Sequence, residues 1–213
     1  MNFSFSPEEQ AFRQEIRSFL GRELPSDWKG IRMGSDVDDD FEFEMRMRKR
    51  LAERRWLALA WPEEFGGGGA DVIHQMIYAE EMAYYRAPGR DGFGVGMIGP
   101  SIMVHGSKGQ KKQHLADIAQ GNVVWCQGYS EPGAGSDLAG LQTRAVRDGD
   151  DYVVNGQKVW TTFAHKADWI FLLARTDPDA PKHRGITYLM APMDTPGIEV
   201  RPLVNMANTH EFN

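Results

Sequence analysis

Residues 127–137 read QGYSEPGAGSD, and this stretch decides how the rest of the chain is interpreted. Pro132 fixes one backbone dihedral, while the two glycines that follow it permit unusual ones. Such a turn can direct consecutive N–H groups at an anion and so form a nest for a pyrophosphate. Ser130 and Ser136 add two hydroxyl groups. The same residue types also form ordinary turns between strands, and both interpretations are open at this point.

A second informative stretch, residues 155–162, reads NGQKVWTT. Asn-Gly is a strong hairpin signal, so the sequence predicts a strand over Lys158–Thr162. On a strand, Trp160 and Thr162 point to the same side because side chains alternate with a period of two. A planar ring and a hydroxyl on one face suit a flat heteroaromatic ligand. Core packing is the more common role of a strand tryptophan, and it stays open as the alternative.

Composition excludes several classes of protein. The 213 residues carry a formal net charge of -6, which favours solubility and argues against a general nucleic-acid binder. Cys126 is the single cysteine of these residues, so they form no internal disulfide and a reducing compartment is expected. Residues 1–10 lack the basic and apolar regions of a secretion signal. Because no stretch approaches the roughly 20 apolar residues of a membrane span, we expect a cytoplasmic protein without one.

Sequence motifs for other chemistries are also missing. His105, His114 and His165 have no partners at ligand spacing, so no metal site is predicted. There is no Gly-x-Ser-x-Gly motif, and Cys126 has no obvious base, so nucleophilic catalysis is not indicated. The four glycines at 66–69 are not followed by Gly-Lys-Ser/Thr and are interpreted as a plain turn. The chain lacks a Gly-x-Gly-x-x-Gly strand-to-helix unit, so a bound dinucleotide would require a different fold from the Rossmann fold.

The hydrophobic pattern divides the chain into a helical part and a strand-rich part near Gly121. Predicted helices span 7–21, 41–59, 72–85, 101–105 and 110–119. Predicted strands span 123–128, 141–146, 152–154, 158–162, 169–174, 185–191 and 198–204. The predicted fold class is α+β multidomain. An all-α amino-terminal domain, 1–121, precedes a small antiparallel β-barrel or sandwich domain, 122–213, which is expected to be incomplete at its end.

The whole chain resembles the amino-terminal and middle domains of the acyl-CoA dehydrogenase family. The motifs that carry the resemblance are YSEPGAGSD at 129–137, Gly149-Asp150-x-Tyr152, Asn155-Gly156-x-Lys158-x-Trp160 and ARTD at 174–177. Weaker support comes from WPEEFGG at 61–67 and from residues 106–115. The resemblance implies a helical first domain, a β-barrel middle domain and a helical third domain. It also implies FAD, held between the middle and third domains.

Position by position, the resemblance implies contacts to the cofactor. Ser130 is expected to bond the isoalloxazine edge through its hydroxyl, where many relatives have threonine. Trp160 is expected beside the flavin rings, and Thr162 near the reactive flavin nitrogen. The other residues expected at the cofactor are Gln127, Tyr129, Gly135, Ser136 and Thr161. Substrate contacts are expected from Ser136 and from Met97, for which core packing is the alternative role.

The reaction implied by the resemblance is the α,β-desaturation of an acyl-CoA thioester in fatty acid β-oxidation. A carboxylate removes the α-proton while the β-hydrogen leaves as hydride to the flavin. In the family this base is a glutamate of the third domain, so it is expected beyond Asn213 and no catalytic residue is assigned here. The resemblance further implies an electron-transferring flavoprotein as acceptor and a homo-oligomer, either dimer or tetramer.

The chain is therefore expected to be a fragment of a longer FAD-dependent acyl-CoA dehydrogenase and to be inactive alone. Two alternatives stay open. One is a related acyl-CoA oxidase or flavin monooxygenase, which the motifs of the first two domains hardly separate from a dehydrogenase. The other is a non-catalytic subunit of a heteromeric acyl-CoA dehydrogenase.

Overall fold

The structure is a computed structural model that describes residues 4–30 and 37–213, except for the side chains of residues 37–39. The chain divides into two compact units, Met1–Asn122 and Val123–Asn213. Among the described residues, helices build the first unit and all the strands lie in the second. The predicted order, helices first and strands second, is thereby confirmed.

Five α-helices form the described part of the first unit. They are α1 Pro7–Glu23, α2 Val37–Ala52, α3 Val72–Tyr84, α4 Gly99–His105 and α5 Lys108–Ala119. Two of them begin with a full capping box, in which a serine hydroxyl accepts from the third helical N–H and the third side chain returns a bond. These boxes are Ser6 with Glu9 and Ser107 with Gln110.

Helix α2 ends earlier than the sequence predicts, at Ala52 rather than at residue 59. Arg55 adopts a left-handed conformation with φ of 58°, and the N–H of Trp56 bonds to the Leu51 carbonyl at 2.9 Å. This is the pattern that terminates many helices, but glycine usually occupies the left-handed position. An arginine there gave no sequence signal, so the predicted helix was too long.

The core of the first unit is built from apolar side chains of the first helices and the segment after α2. It comprises Ile16, Phe19, Leu20, Met47, Leu51, Trp56, Leu57, Leu59, Ile77 and Met82. At the edge of this core, Glu81 of α3 is buried, with 2% of its side chain exposed. Arg17 of α1 donates to both carboxylate oxygens of Glu81, each at 2.9 Å, and Arg13 Nε lies 3.3 Å from the same carboxylate. This ion-pair network ties α1 to α3.

A π-helical turn, Gly94–Ile98, leads directly into α4, where the sequence predicts only a connector. Two glycines of this segment, Gly94 and Gly99, are required by close approach. A Cβ at Gly94 would lie 2.1 Å from Asp91 Oδ2, and one at Gly99 would lie 2.1 Å from the Trp61 ring. The spacing Gly-x-Gly-x-x-Gly at 94–99 therefore serves packing and does not follow a strand.

The second unit contains a five-stranded sheet and a two-stranded sheet. The strands are β1 Trp125–Gly128, β2 Arg144–Asp148, β3 Asp151–Asn155, β4 Trp169–Arg175, β5 Ile186–Pro192, β6 Leu203–Val204 and β7 His210–Phe212. In the larger sheet β4 is central. It pairs with β1 and β2, and β5 pairs with it along its whole length. Strands β6 and β7 form the smaller, antiparallel sheet.

The larger sheet is mixed, which corrects the prediction of a purely antiparallel barrel or sandwich. β1 runs parallel to β4, with Trp125 opposite Trp169, and β2 is also parallel to β4 where it pairs at Arg175. Parallel pairing needs a connection of a dozen or more residues. The long segment 129–168 between β1 and β4 supplies this connection. The alternation of side chains within a single strand does not indicate whether that strand pairs in parallel or antiparallel.

The predicted hairpin at Asn155-Gly156 and the predicted strand over 158–162 are wrong. The hairpin turn lies at Gly149, with φ of 62°, between β2 and β3, whose register pairs Asp148 with Asp151. Gly156 serves a different purpose, since a Cβ there would lie 2.3 Å from Thr143 Oγ1. The absence of a side chain at Gly156 permits a close approach of two segments. The Asn-Gly pattern alone does not distinguish this role of the glycine from a hairpin turn.

Cys126 lies inside β1 with none of its surface exposed. Its Sγ lies 3.8 Å from Met193 Sδ. Burial raises the pKa of the Cys126 thiol to about 12. The thiol is therefore an apolar packing group at neutral pH.

Across the described ranges, 4–30 and 37–213, none of the helices has the length and apolar character needed to cross a bilayer.

We expect the substitution Glu81→Gln to lower the free energy of unfolding by about 2 kcal/mol, because it leaves Arg13 and Arg17 without their shared counter-charge. Urea denaturation followed by helical circular dichroism measures this loss. Glu53→Gln is the matched control. It removes an exposed partner of Arg50, 2.6 Å away, and is expected to cost less than about 0.5 kcal/mol. Equal losses in the two variants would contradict the structural role of Glu81.

Candidate functional site

The loop that follows β1 is closed by its own backbone. The N–H of Glu131 bonds to the Ala134 carbonyl at 2.7 Å, and the N–H of Ala134 bonds back at 3.1 Å. Pro132 and Gly133 form the exposed tip of this turn. Neither Gly133 nor Gly135 adopts a left-handed conformation, so the alternating geometry of an anion nest is not seen at these glycines. Two of the N–H groups predicted to face an anion are used inside the loop.

The side chain of Glu131 anchors this loop to the sheet. Only 6% of the side chain is exposed. Its carboxylate accepts hydrogen bonds from the N–H of Gln142 at 2.6 Å and from the N–H of Thr143 at 2.9 Å, just before β2. It also accepts from Lys158 Nζ at 2.8 Å. One carboxylate therefore joins three segments that are distant in sequence.

Lys158 completes the anchor from the other side. Its Nζ donates to the Tyr129 carbonyl at 3.1 Å as well as to Glu131, so it holds the loop on both sides of Ser130. Burial lowers the pKa of Lys158, and the ion pair with Glu131 opposes that effect. Lys158 belongs to one of the family motifs, but neither its ion pair nor the role of the two amides before β2 was predicted from the sequence. A lysine in a loop gives no sign of a buried acidic partner 27 residues away.

The same contacts determine the protonation state of Glu131. Burial alone would raise its pKa, but the hydrogen bonds from Lys158 and from the backbone of Gln142 and Thr143 outweigh burial and lower the pKa to about 2. A carboxylate held ionised by three donors is a poor proton acceptor at neutral pH. The geometry thus gives Glu131 a structural role and excludes it as an effective general base.

Trp160 and Thr162 lie on a tight turn, not on one face of a strand. Two residues of this turn are left-handed, Trp160 with φ of 60° and Phe163 with φ of 52°. The Trp160 ring is 58% exposed and meets the Phe212 ring edge-on at 5.8 Å. Thr161 is buried, while Thr162 is half-buried. The period-of-two argument for these side chains is therefore wrong, although the turn still presents an aromatic surface.

The structure places this turn beside the loop after β1. The N–H of Val159 bonds to the Ser130 carbonyl at 2.9 Å, so Ser130 and Trp160 lie on neighbouring segments. Tyr129 packs edge-on against Phe171 at 5.9 Å and against Tyr188 at 6.4 Å. Two stretches separated in sequence, 129–130 and 158–162, thus form one surface.

Of the remaining predicted site residues, three lie in the second unit and one lies in the first. Gln127 is half-buried on β1, opposite Phe171 of β4. Gly135 and Ser136 are exposed beyond the closed turn. Asp137, which follows Ser136, accepts a hydrogen bond of 2.6 Å from Lys182 Nζ. Met97 belongs to the first unit, where it lies in the π-helical turn with 36% of its surface exposed.

The donors and surfaces present fit a flavin. None of the described residues hydrogen-bonds to the hydroxyls of Ser130, Ser136 or Thr162, so these groups remain available. The exposed indole of Trp160 offers an apolar face, and free hydroxyls beside an aromatic face match the mixed edge and flat face of an isoalloxazine ring. Among the described histidine, cysteine and acidic side chains, no group is arranged to hold a metal ion.

We predict that Glu131→Gln lowers the free energy of unfolding of the second unit by about 3 kcal/mol, because Lys158 stays buried without its counter-charge. Urea denaturation monitored by the circular dichroism of the strands measures this loss. Asp137→Asn removes the exposed partner of Lys182 in the same loop and is expected to change the stability by less than about 0.5 kcal/mol. An equal effect of both substitutions would refute the anchor.

Acid should remove the contribution of Glu131 in a defined pH window. Its pKa is about 2 in the folded chain, against an ordinary value of 4.5 for a solvated glutamate. A lowered folded pKa gives stability that is complete above the unfolded value and is lost as pH falls toward the folded value. The stability difference between the parent and Glu131→Gln should therefore shrink between about pH 4.5 and 2. A difference that stays constant from pH 6 to 2 would contradict this assignment.

Comparison with known proteins gives the same family across both units. The model of the acyl-CoA dehydrogenase N-terminal domain matches residues 6–122, and that of the acyl-CoA dehydrogenase middle domain matches residues 126–212. The acyl-CoA dehydrogenase IpdE1 of Mycobacterium tuberculosis (strain ATCC 25618 / H37Rv) is 41% identical over 208 residues, which are 96% of this chain and 54% of that protein.

Solved structures agree. A chain of the ChsE4-ChsE5 complex from Mycobacterium tuberculosis superposes with a TM-score of 0.86 at 37% identity and covers 100% of this chain and 53% of that one. The Tcur3481-Tcur3483 steroid ACAD gives a TM-score of 0.86 at 35% identity, covering 100% and 54%. This chain spans about half the length of the curated relatives that it matches. On these matches, the chain belongs to the acyl-CoA dehydrogenase family.

Proposed function

We propose that this chain forms the flavin- and thioester-contacting part of an FAD-dependent acyl-CoA dehydrogenase. The observation that carries the proposal is the surface formed by Ser130 and Trp160, held together by the bond from Val159 N–H to the Ser130 carbonyl at 2.9 Å. Family membership supports it, and one similar structure is a glutaryl-CoA dehydrogenase in complex with FADH2. When bound, FAD would supply the hydride acceptor for α,β-desaturation.

Within this proposal the residues of the chain bind and orient. The Ser130 hydroxyl would bond the polar edge of the flavin, the Trp160 ring would cover one side of it, and Thr162 would reach its reactive nitrogen. Gln127, Tyr129, Gly135 and Thr161 would complete the cofactor site. Ser136, exposed next to the Lys182–Asp137 pair, would contact both the cofactor and the thioester, and Met97 would contribute from the first unit.

The units have separate proposed roles. Residues 1–121 would be the helical amino-terminal domain and residues 122–213 the cofactor-contacting middle domain. Glu131, held ionised with a pKa of about 2, is not proposed as the base. The proton-abstracting carboxylate is proposed to come from the helical third domain that the family resemblance implies. We further propose a cytoplasmic enzyme that passes electrons to an electron-transferring flavoprotein.

The relatives suggest where to look for substrate and assembly. Two similar structures carry the name of the Tcur3481-Tcur3483 steroid ACAD, so steroid-derived acyl-CoA esters belong in the first substrate panel beside straight-chain ones. Several similar chains come from two-component complexes. The family resemblance implies a homo-oligomer, either a dimer or a tetramer. The names of these relatives support the alternative, a heteromeric enzyme in which this chain is a non-catalytic subunit.

Flavin reduction tests the proposal. The native gene product, purified with any partner that accompanies it, should carry FAD, and anaerobic addition of its acyl-CoA should bleach the visible flavin absorbance. Ser130→Ala should weaken FAD binding by about 5- to 30-fold, the effect of losing one buried hydrogen bond. Ser18→Ala, which removes an α1 hydroxyl bonded to the Gln14 carbonyl, serves as control and should leave the affinity unchanged.

A protein that binds no flavin, or whose flavin is not reduced by any thioester of the panel, would refute the proposed function. An oxidase is the second candidate, because the prolyl acyl carrier protein oxidase AnaB superposes with a TM-score of 0.77 at 25% identity. Fast reoxidation of the reduced flavin by oxygen would favour the oxidase. Slow reoxidation by oxygen with fast reoxidation by an electron-transferring flavoprotein would favour the dehydrogenase.

A further inference from the structure

The turn that carries Trp160 is strained and is held in place by contacts from β7. A left-handed conformation is unfavourable for residues with a Cβ, by about 1 kcal/mol or more each. Trp160 and Phe163, with φ of 60° and 52°, both adopt it within four residues. Such a turn persists when the surrounding structure determines it.

The backbone of β7 and the residue after it provides the first part of this support. The N–H of Thr161 bonds to the Asn213 carbonyl at 3.0 Å, and the N–H of Asn213 bonds back at 3.1 Å. The N–H of Phe163 bonds to the Glu211 carbonyl at 2.8 Å. These bonds fix the turn at two alternate residues.

The side chain of Asn213 supplies the second part by linking three groups. Its Nδ2 lies 3.1 Å from the Thr161 carbonyl and 3.1 Å from His165 Nδ1. Its Oδ1 lies 2.8 Å from His210 Nε2. The rings of His165 and His210 stack on each other, with centroids 3.9 Å apart and planes 20° from parallel.

The chemistry of these groups fixes their orientation. A carbonyl can only accept, so the Thr161 carbonyl determines which end of the Asn213 amide is its NH2 group. That NH2 group can only donate, so His165 Nδ1 accepts and carries no proton. Asn213 Oδ1 can only accept, so His210 Nε2 donates. All three side chains have one consistent set of roles, and the amide bridges the two imidazoles.

We infer that Asn213, together with the stacked pair His165 and His210, positions the Trp160–Thr162 turn for the flavin. The Asn213 amide joins Thr161, which lies within the turn, to His165, which follows the turn in sequence. It joins both of them to His210 of β7. Nothing in the family motifs quoted above includes these three residues. They are positioning residues and touch no reacting atom. This inference rests on the proposed function, which places the turn beside FAD.

Asn213, His165 and His210 together form what we call the clamp of the Trp160 turn. Hydrogen exchange tests this clamp without any flavin. Asn213→Leu keeps the approximate size of the side chain but removes its three hydrogen bonds, while His165→Phe keeps a stacked ring but removes the acceptor. The amides of residues 160–166, read by mass spectrometry on the full chain, should exchange about 5- to 30-fold faster in both variants. His165→Phe keeps the test open if Asn213→Leu does not fold.

A matched control separates positioning from general stability. The Asn205 side chain accepts from the N–H groups of Ala207 and Thr209 within the β6–β7 turn. Among the described residues, it forms no hydrogen bond with the Trp160 turn. Asn205→Ala should lower the melting temperature yet leave exchange at 160–166 unchanged. Equal exchange in all three variants, or unchanged exchange in Asn213→Leu and His165→Phe, would overturn the clamp.

The flavin spectrum of the native enzyme tests the link to the cofactor. Asn213→Leu and His165→Phe should shift the visible absorbance bands and the midpoint potential of the bound FAD, and Asn205→Ala should not. Unchanged spectra and potentials beside faster exchange would overturn the link to the flavin and leave the clamp standing. If the parent enzyme holds no FAD, the proposed function fails, and the exchange result alone decides whether the clamp exists.

Discussion

The carboxylate of Glu131 is the interaction on which the second unit depends. It is buried, it accepts from Lys158 and from two backbone amides before β2, and it thereby fixes the loop after β1, the segment before the Trp160 turn and the start of the hairpin. A buried charge is costly unless every lone pair is used. Because a buried charge that lacks one of its partners is strongly destabilising, we expect the three segments to assemble together.

The Trp160 turn is organised in the opposite way. Its shape is unfavourable for its own residues, and it is defined by β7 and by the amide of Asn213. Rigid support from a neighbouring element is what a cofactor surface needs, since a ring held by several bonds requires little reordering when a ligand arrives. The hydrogen-bonded carboxylate of Glu131 and the Trp160 turn lie on adjacent segments, which are joined by the bond between Val159 and Ser130.

Much of this organisation could be predicted from the sequence, because the signals are local. The helices of the first unit, their order before the strands and the family motifs depend on neighbouring residues. What was missed depends on distant partners. The parallel pairing of β1 with β4, the role of Gly156 against Thr143 and the Glu131–Lys158 pair have no local pattern. For the site, the turn that carries Trp160 could not be predicted, since left-handed tryptophan and phenylalanine are rare.

Cys126 gives the second unit a built-in reporter of its own opening. With a thiol pKa of about 12, only on the order of one molecule in 100,000 carries a thiolate there at neutral pH. An alkylating reagent can therefore modify this thiol at an appreciable rate only when β1 leaves the sheet. Since these 213 residues contain a single cysteine, the rate of alkylation within them follows the population of the opened sheet when reclosing is faster than alkylation.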